Sequence, residues 1–320
     1  MAPQHNTRSL FHVPGRVAGA IAFTALLNST GFAQSSDLRD DENFIDFYNL
    51  TAPDDNWKID VGFSARDEGD LNKLDGDLSI SRTFYELWYE WPQETDSSFA
   101  MGFVEEHSNY DIDGAGAFSL LPPFREVKSS SLAATYVNGD ADGSWVLNGA
   151  LTFGREQGVS PTEGLYGQAT LAKLWSAGDS VDIGLGLYTY SKLEDSAEFI
   201  PFPVINWYLS KNVTLGLIQS SSPEYGLQFN LSDRWDAYLV GNYTVRQYRL
   251  SDRTGLSSGA VVDEGLTGRA GLMWSGDNLS FEVFGGLSRQ KISIEAQNNL
   301  FARDVSDPAP LIGASISVSL

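Results

Sequence analysis

Leu266-Thr267-Gly268-Arg269-Ala270-Gly271-Leu272-Met273-Trp274, then Ser275-Gly276-Asp277-Asn278, then Leu279-Ser280-Phe281-Glu282-Val283-Phe284-Gly285-Gly286-Leu287, is the stretch that decides the fold. Two runs in which every second residue is apolar or small flank four residues that tolerate turn dihedrals or bond their own backbone. The unit recurs backwards through the chain: Trp145, Leu147, Gly149, Leu151 and Phe153; Val181, Ile183, Leu185 and Leu187; Val213, Leu215 and Leu217. Short turns fall at Pro92 to Asp96, Asn138 to Gly143, Ser176 to Asp179, Ser210 to Asn212, Ser232 to Arg234 and Ser275 to Asn278. Longer connections are expected between them, at Arg66 to Asp77, His107 to Phe124, Arg155 to Glu163, Ser251 to Val261 and Gln290 to Pro308. Alternation with tight turns at one end and longer loops at the other is the signature of an antiparallel transmembrane β-barrel, with short periplasmic turns and extracellular loops. About fourteen strands can be placed, with twelve as the alternative.

Tryptophan placement agrees. Trp57, Trp91, Trp145, Trp175, Trp207, Trp235 and Trp274 all lie near a short turn or the first strand's start. An indole favours the boundary of hydrocarbon and water, so these seven are expected to form an interfacial girdle. Trp88 falls on the opposite strand face.

The chain's ends add direction. Arg8 and Arg16 precede the apolar run Val17 to Leu27, with Gly31 and Ala33 placed for cleavage before Gln34, which reads as a secretory signal peptide over 1–33. No segment reaches the roughly 20 apolar residues of a transmembrane helix. Residues 34–56 are polar and expected to be a periplasmic tail or small plug, with the barrel over 57–320. At the other end Ile312, Ala314, Ile316, Val318 and Leu320 alternate with Gly313, Ser315, Ser317 and Ser319, as in a strand that closes the ring against the first. This terminus resembles the recognition signal of outer-membrane barrels, read by the barrel-assembly machinery, without its usual terminal aromatic.

Composition narrows the function. The chain has no cysteine, which removes disulfides and thiolate metal sites. Without the leader, 19 basic residues face 42 acidic ones, a formal charge of −23 that opposes nucleic-acid binding. Acid concentrates at Asp37 to Asp46, Asp54-Asp55, Asp67 to Asp77 and Asp111 to Asp113. Solvated loops are the plain reading, and divalent cations held against anionic outer-leaflet lipids the sharper one. No cofactor is implied.

The segment Phe199-Ile200-Pro201-Phe202-Pro203-Val204-Ile205-Asn206-Trp207, with Leu209-Ser210, Val213-Thr214-Leu215, Pro223, Tyr225 and Leu231-Ser232, resembles an uncharacterised family of bacterial outer-membrane β-barrels known only as a domain of unknown function. The resemblance implies location and fold, and no catalytic residue. Pro201 and Pro203 each remove a ladder donor, so this strand should be bent, bulged or weakly paired on one side. A structural kink and a lateral opening are both compatible with that.

Polar residues on the face away from lipid supply candidate lumen positions: Arg82, Glu86, Glu90, Lys128, Asp182, Asp236, Arg246, Arg269 and Glu282. Charge at mid-bilayer depth costs about 2–4 kcal/mol, which turns such residues inward. Passage of a small solute, porin-like and cation-favouring, is the first expectation. A closed barrel acting through acidic loops is the second. The run Glu105-Glu106-His107-Ser108-Asn109 resembles the His-x-Ser-Asn arrangement of outer-membrane lipid hydrolases, the third and most distant. Adjacent strand residues point to opposite faces, which would keep His107 from the Ser108 hydroxyl.

Overall fold

The computed structural model describes residues 57–73, 76–91, 97–114, 124–140, 143–178, 180–218, 224–252, 258–296 and 299–320. The leader and the 34–56 segment lie outside the described residues, as do the acidic runs within it. The strands are β1 (Trp57–Asp70), β2 (Gly76–Trp91), β3 (Ser97–Gly114), β4 (Glu126–Asp140), β5 (Gly143–Glu156), β6 (Leu165–Ser176), β7 (Val181–Tyr190), β8 (Glu198–Ser210), β9 (Val213–Ile218), β10 (Glu224–Ser232), β11 (Trp235–Arg249), β12 (Ala260–Ser275), β13 (Leu279–Ala296), β14 (Asn299–Val305) and β15 (Ala309–Ser319). Consecutive strands pair antiparallel around a ring. Both β14 and β15 pair with β13, so they are one strand interrupted at Ser306-Asp307-Pro308. β15 also pairs with β1, from Lys58↔Ser319 to Arg66↔Leu311, and closes the barrel. Among the described residues, fourteen positions around the ring result.

The interruption has a covalent cause and a side-chain repair. Pro308 has no N–H to give a ladder. Arg66, 2% exposed, spans the break, donating to Ser306 Oγ at 2.6 Å, the Asp307 carbonyl at 2.9 Å and the Ser288 carbonyl at 3.2 Å.

Outward positions near the turn end are apolar and exposed: Ile59, Val61 and Phe63 on β1; Tyr85 and Leu87 on β2; Leu147 and Leu151 on β5; Ile183 and Leu185 on β7; Phe281, Val283 and Leu287 on β13; Ile312 and Ile316 on β15. A belt of this extent in water would be unfavourable, and lipid is the solvent that accepts it. At one height the belt ends in charge. Asp67 follows Ala65 on β1, Glu105 follows Phe103 on β3, Lys128 lies above Leu132 on β4, Arg155 follows Phe153 on β5, and Arg289 follows Leu287 on β13.

Above that height the strands continue, which corrects two expected loops. β3 runs on through His107 to Gly114, and most of Gln290 to Pro308 is strand in β13 and β14. An 18-residue strand is about 60 Å long and, tilted as in barrels, rises about 45 Å, well beyond an apolar band about 25 Å tall. In this upper wall the pattern inverts. Leu78, Ile80, Tyr110, Tyr248, Val261, Ile292 and Ile294 point inward and form one buried core with Leu71, Phe124 and Val127, while the outward positions are polar.

The upper barrel is also pinched. β6 to β10 are the shorter strands, and β11 reaches across them to pair with β5 at Arg249↔Arg155. Gly154 makes this approach possible, because a Cβ there would overlap the Gln247 carbonyl oxygen. Gly154→Val should force β5 and β11 apart and destabilise the barrel by about 1–3 kcal/mol, read from urea unfolding followed by tryptophan fluorescence. An unchanged midpoint would show that the crossing contributes nothing.

Candidate functional site

The interior has two levels, and the inward face of β2 runs through both. Leu78, Ile80 and Arg82 are buried, whereas Phe84, Glu86, Trp88 and Glu90, nearer the turn end, are only half-buried. Along β2, inward exposure therefore ends at Arg82. There the Arg82 Nη2 donates to Asp263 Oδ2 at 2.6 Å, and the Tyr110 hydroxyl donates to the same oxygen at 2.6 Å. Glu106 receives Arg246 through Nε at 2.9 Å and Nη2 at 3.0 Å, with Ser108 Oγ at 3.0 Å and the Tyr248 hydroxyl at 3.2 Å also donating to it. Arg82 Nε lies 3.8 Å from Glu106 Oε1 and joins the two pairs. Two arginines and two carboxylates from β2, β3, β11 and β12 thus meet across the narrowed ring, with the apolar core directly above. In the core above the network Leu78, Tyr110 and Tyr248 are 0% exposed.

Below the network the wall carries further polar pairs. Arg269 Nη2 donates to Glu224 Oε1 at 3.0 Å, and its guanidinium lies 5.0 Å from the Phe284 ring centroid. Glu282 accepts from the Tyr238 hydroxyl and from Ser315 Oγ, and Asp182 from Ser176 Oγ at 3.0 Å. Glu86 accepts from the Trp88 indole at 2.8 Å. Rings lie flat on cross-strand glycines, Phe84 on Gly62, Trp88 on Gly102, Phe202 on Gly186, Tyr238 on Gly271 and Phe284 on Gly313. Only a residue without Cβ admits a ring so close to the wall.

Of the nine expected lumen residues, Arg82, Glu86, Glu90, Asp182, Asp236, Arg246, Arg269 and Glu282 occupy inward positions. Lys128 does not. It shares the outward face of β4 with the exposed Leu132, and its Nζ sits 2.5 Å from Glu105 Oε1. Its charge is accepted there because that part of β4 stands above the apolar belt. Its charge, and not the alternation, is what suggests an inward position, on the assumption that outward means lipid-facing.

Asp263, Glu106, Tyr110 and Glu224 were not singled out from sequence. Glu106 was readable, since Met101 and Phe103 point outward and even-numbered neighbours must point in. All seven turn-end tryptophans sit on outward positions, Trp57 within 4.8 Å of Tyr89, which in turn meets Trp91 at 4.5 Å between ring centroids. Trp88 faces the lumen.

The hydrolase arrangement is absent. His107 is exposed on the outer wall with Nε2 2.7 Å from Glu105 Oε1, while Ser108 is buried inside against Glu106. His107 instead lines an outer groove of about 560 Å³ with Thr83, Lys128 and Arg155. Among the described residues, no group of three or more His, Asp or Glu could hold a metal ion. At the loop end, the Lys192 ammonium is held above its usual pKa: burial opposes the charge, and the ion pair with Glu198 more than offsets that.

No known protein family and no curated protein matches the chain. Among solved structures, the chain is similar to an outer membrane channel from Pseudomonas putida F1 at 10% identity, covering 83% of this chain and 96% of that one with a TM-score of 0.44. The KdgM porin matches at 9% identity over 82% of this chain and 99% of that one, TM-score 0.37. The TodX monoaromatic hydrocarbon channel deltaS2 mutant matches at 7% identity over 82% and 89%, TM-score 0.37. What this barrel does rests on its own geometry.

Proposed function

We propose that the chain is a bacterial outer-membrane transporter for a small solute, porin-like in build, whose axial path is closed at its outer end in this state. The observation that supports the reading is the contrast of levels along β2: half-buried Phe84, Glu86, Trp88 and Glu90 beneath a buried ion network and apolar core. Outer-membrane lipids would be its solvent, the turn-end tryptophans its lower interfacial girdle, and the barrel-assembly machinery its route of insertion. The lumen residues Glu86, Glu90, Asp182, Asp236 and Glu282 would favour cations over anions on the way.

The test is conductance of the folded protein in a planar bilayer. The wild type should show rare, brief openings, and Tyr110→Ala combined with Tyr248→Ala should give sustained cation-selective steps. Porin-sized steps from the wild type would sink the closed state. The dry upper core favours a second reading, a closed barrel acting at the surface, and silence from the double variant, shown folded by its heat-modifiable gel mobility, would move the assignment to it.

A further inference from the structure

Below Arg82 the inward face of β2 alternates ring and acid. Phe84, Glu86, Trp88 and Glu90 are every second residue of one strand, so they stand in a column with neighbours about 7 Å apart, and all four are half-buried. Both rings lie on glycines of the adjacent strands, Phe84 on Gly62 of β1 and Trp88 on Gly102 of β3. A ring laid on the wall turns its other face to the lumen. The carboxylates between the rings are not neutralised by the protein. Glu86 accepts a neutral hydrogen bond from the Trp88 indole, and among the described residues neither Glu86 nor Glu90 has an ion-pair partner. Lys58, the cross-strand neighbour of Trp88, is turned to Asp60 at 3.4 Å.

Elsewhere in the same wall, the chain shows what such a set of groups holds. On β12 the Arg269 guanidinium lies over two rings, 5.0 Å from the Phe284 centroid and 5.7 Å from that of Tyr238, while its Nη2 donates to Glu224 at 3.0 Å. Those rings are laid on glycines too, in one cross-strand row that runs Tyr238, Gly271, Phe284, Gly313 over β11, β12, β13 and β15. Two flat rings and a carboxylate thus bind a delocalised cation. β2 carries the same set in Phe84, Trp88 and Glu86, and among the described residues no arginine or lysine lies over either ring. The two sets share one unbroken arc of wall, from β11 through β12, β13, β15 and β1 to β2.

We propose that the β2 column is the binding track for the transported solute, and that the solute is an organic cation, an ammonium or guanidinium carried on an apolar body. The inference rests on the transporter reading and specifies its substrate class. A carboxylate alone would take any cation. The rings select among them, because a π face favours a weakly hydrated charge whose apolar surface covers the ring, whereas a small inorganic ion must shed tightly held water to gain the same contact. An anion of the same shape meets two carboxylates without counter-ions and is repelled.

The test is calorimetric titration of the folded wild type in nonionic detergent with benzyltrimethylammonium, set against benzyl alcohol and benzenesulfonate as uncharged and anionic bodies of like size. The cation should bind about tenfold tighter than either, Glu86→Gln should weaken it about tenfold, and Trp88→Leu about fivefold. Equal affinity for the three probes, or a cation affinity that ignores both substitutions, overturns the assignment. If neither variant folds, Trp88→Phe keeps a ring over Gly102 and loses the bond to Glu86. It should weaken the cation about threefold, and an unchanged affinity overturns the assignment. Conductance of the Tyr110→Ala, Tyr248→Ala variant separates this inference from the reading beneath it. Benzyltrimethylammonium near its Kd should reversibly lower the potassium current by about half. Potassium steps that ignore the probe overturn the organic-cation assignment alone. Silence from the folded variant overturns the transporter reading, and the assignment of its solute with it.

Discussion

Replacing Arg82 by alanine is expected to destabilise the barrel by about 3–5 kcal/mol, because it strips a fully buried carboxylate of its counter-ion. Asp263 is 0% exposed, and the Arg82 guanidinium and the Tyr110 hydroxyl both donate to its Oδ2. Without Arg82 the charge stays in a dry interior with one neutral donor, and Glu106 keeps Arg246 as its arginine, with Ser108 and Tyr248 as neutral donors. The size of the effect comes from the uncompensated charge rather than from the worth of the pair. Hence Arg82→Gln combined with Asp263→Asn should recover most of the loss, since two neutral amides can bond each other in the same space. Equilibrium urea unfolding in lipid, read by tryptophan fluorescence, checks both. A loss below about 1 kcal/mol for the single variant would mean that water reaches this level and that the upper lumen is open.

The second large effect separates the two halves of the outer wall. Leu239, 50% exposed, lies midway up the apolar belt on β11, and Leu239→Arg should cost about 2–4 kcal/mol, as an arginine does near the bilayer midplane. Asn109 is also exposed and outward, but sits on β3 above Glu105 and His107, where the wall faces water. Asn109→Arg should cost less than about 1 kcal/mol. Folding yield into lipid vesicles and urea midpoints give the comparison. Equal and small effects at both positions would remove the membrane from the belt, and equal and large ones would extend the hydrocarbon up to Asn109.

Much of the lower barrel was legible because the rule that governs it is local. From Trp145 to Phe153, or Leu279 to Leu287, each second side chain meets lipid and must be apolar or small, so alternation reports the face directly. The closing strand at Ile312 to Leu320 was readable for the same reason. The rule misleads where the wall leaves the membrane. On β3, Tyr110 and Ile112 are the apolar residues and point inward, while Glu105, His107, Asn109 and Asp111 point to water. A reading that equates apolar with outward therefore ends the strand early and turns Lys128 toward the lumen. Pro201 and Pro203 were legible as a weakness of one strand. Which side of the strand lacks those donors was not, since it follows from the Tyr208 N–H donating to the Ser180 carbonyl at 2.9 Å, which turns the odd-numbered residues of β8 away from β7.

By itself, the sequence determined the strand-and-turn rhythm, the aromatic end of the barrel, the ring closure and the inward placement of most charged residues, because these follow from a two-residue period and from the cost of charge in hydrocarbon. Only the tertiary structure decided what the interior is. Whether Arg82 lines a pore or closes it depends on Asp263, far along the chain, arriving within 2.6 Å of it. That meeting is set by the pinch of β11 onto β5 and by the height of the walls, properties of the closed ring that no local period encodes.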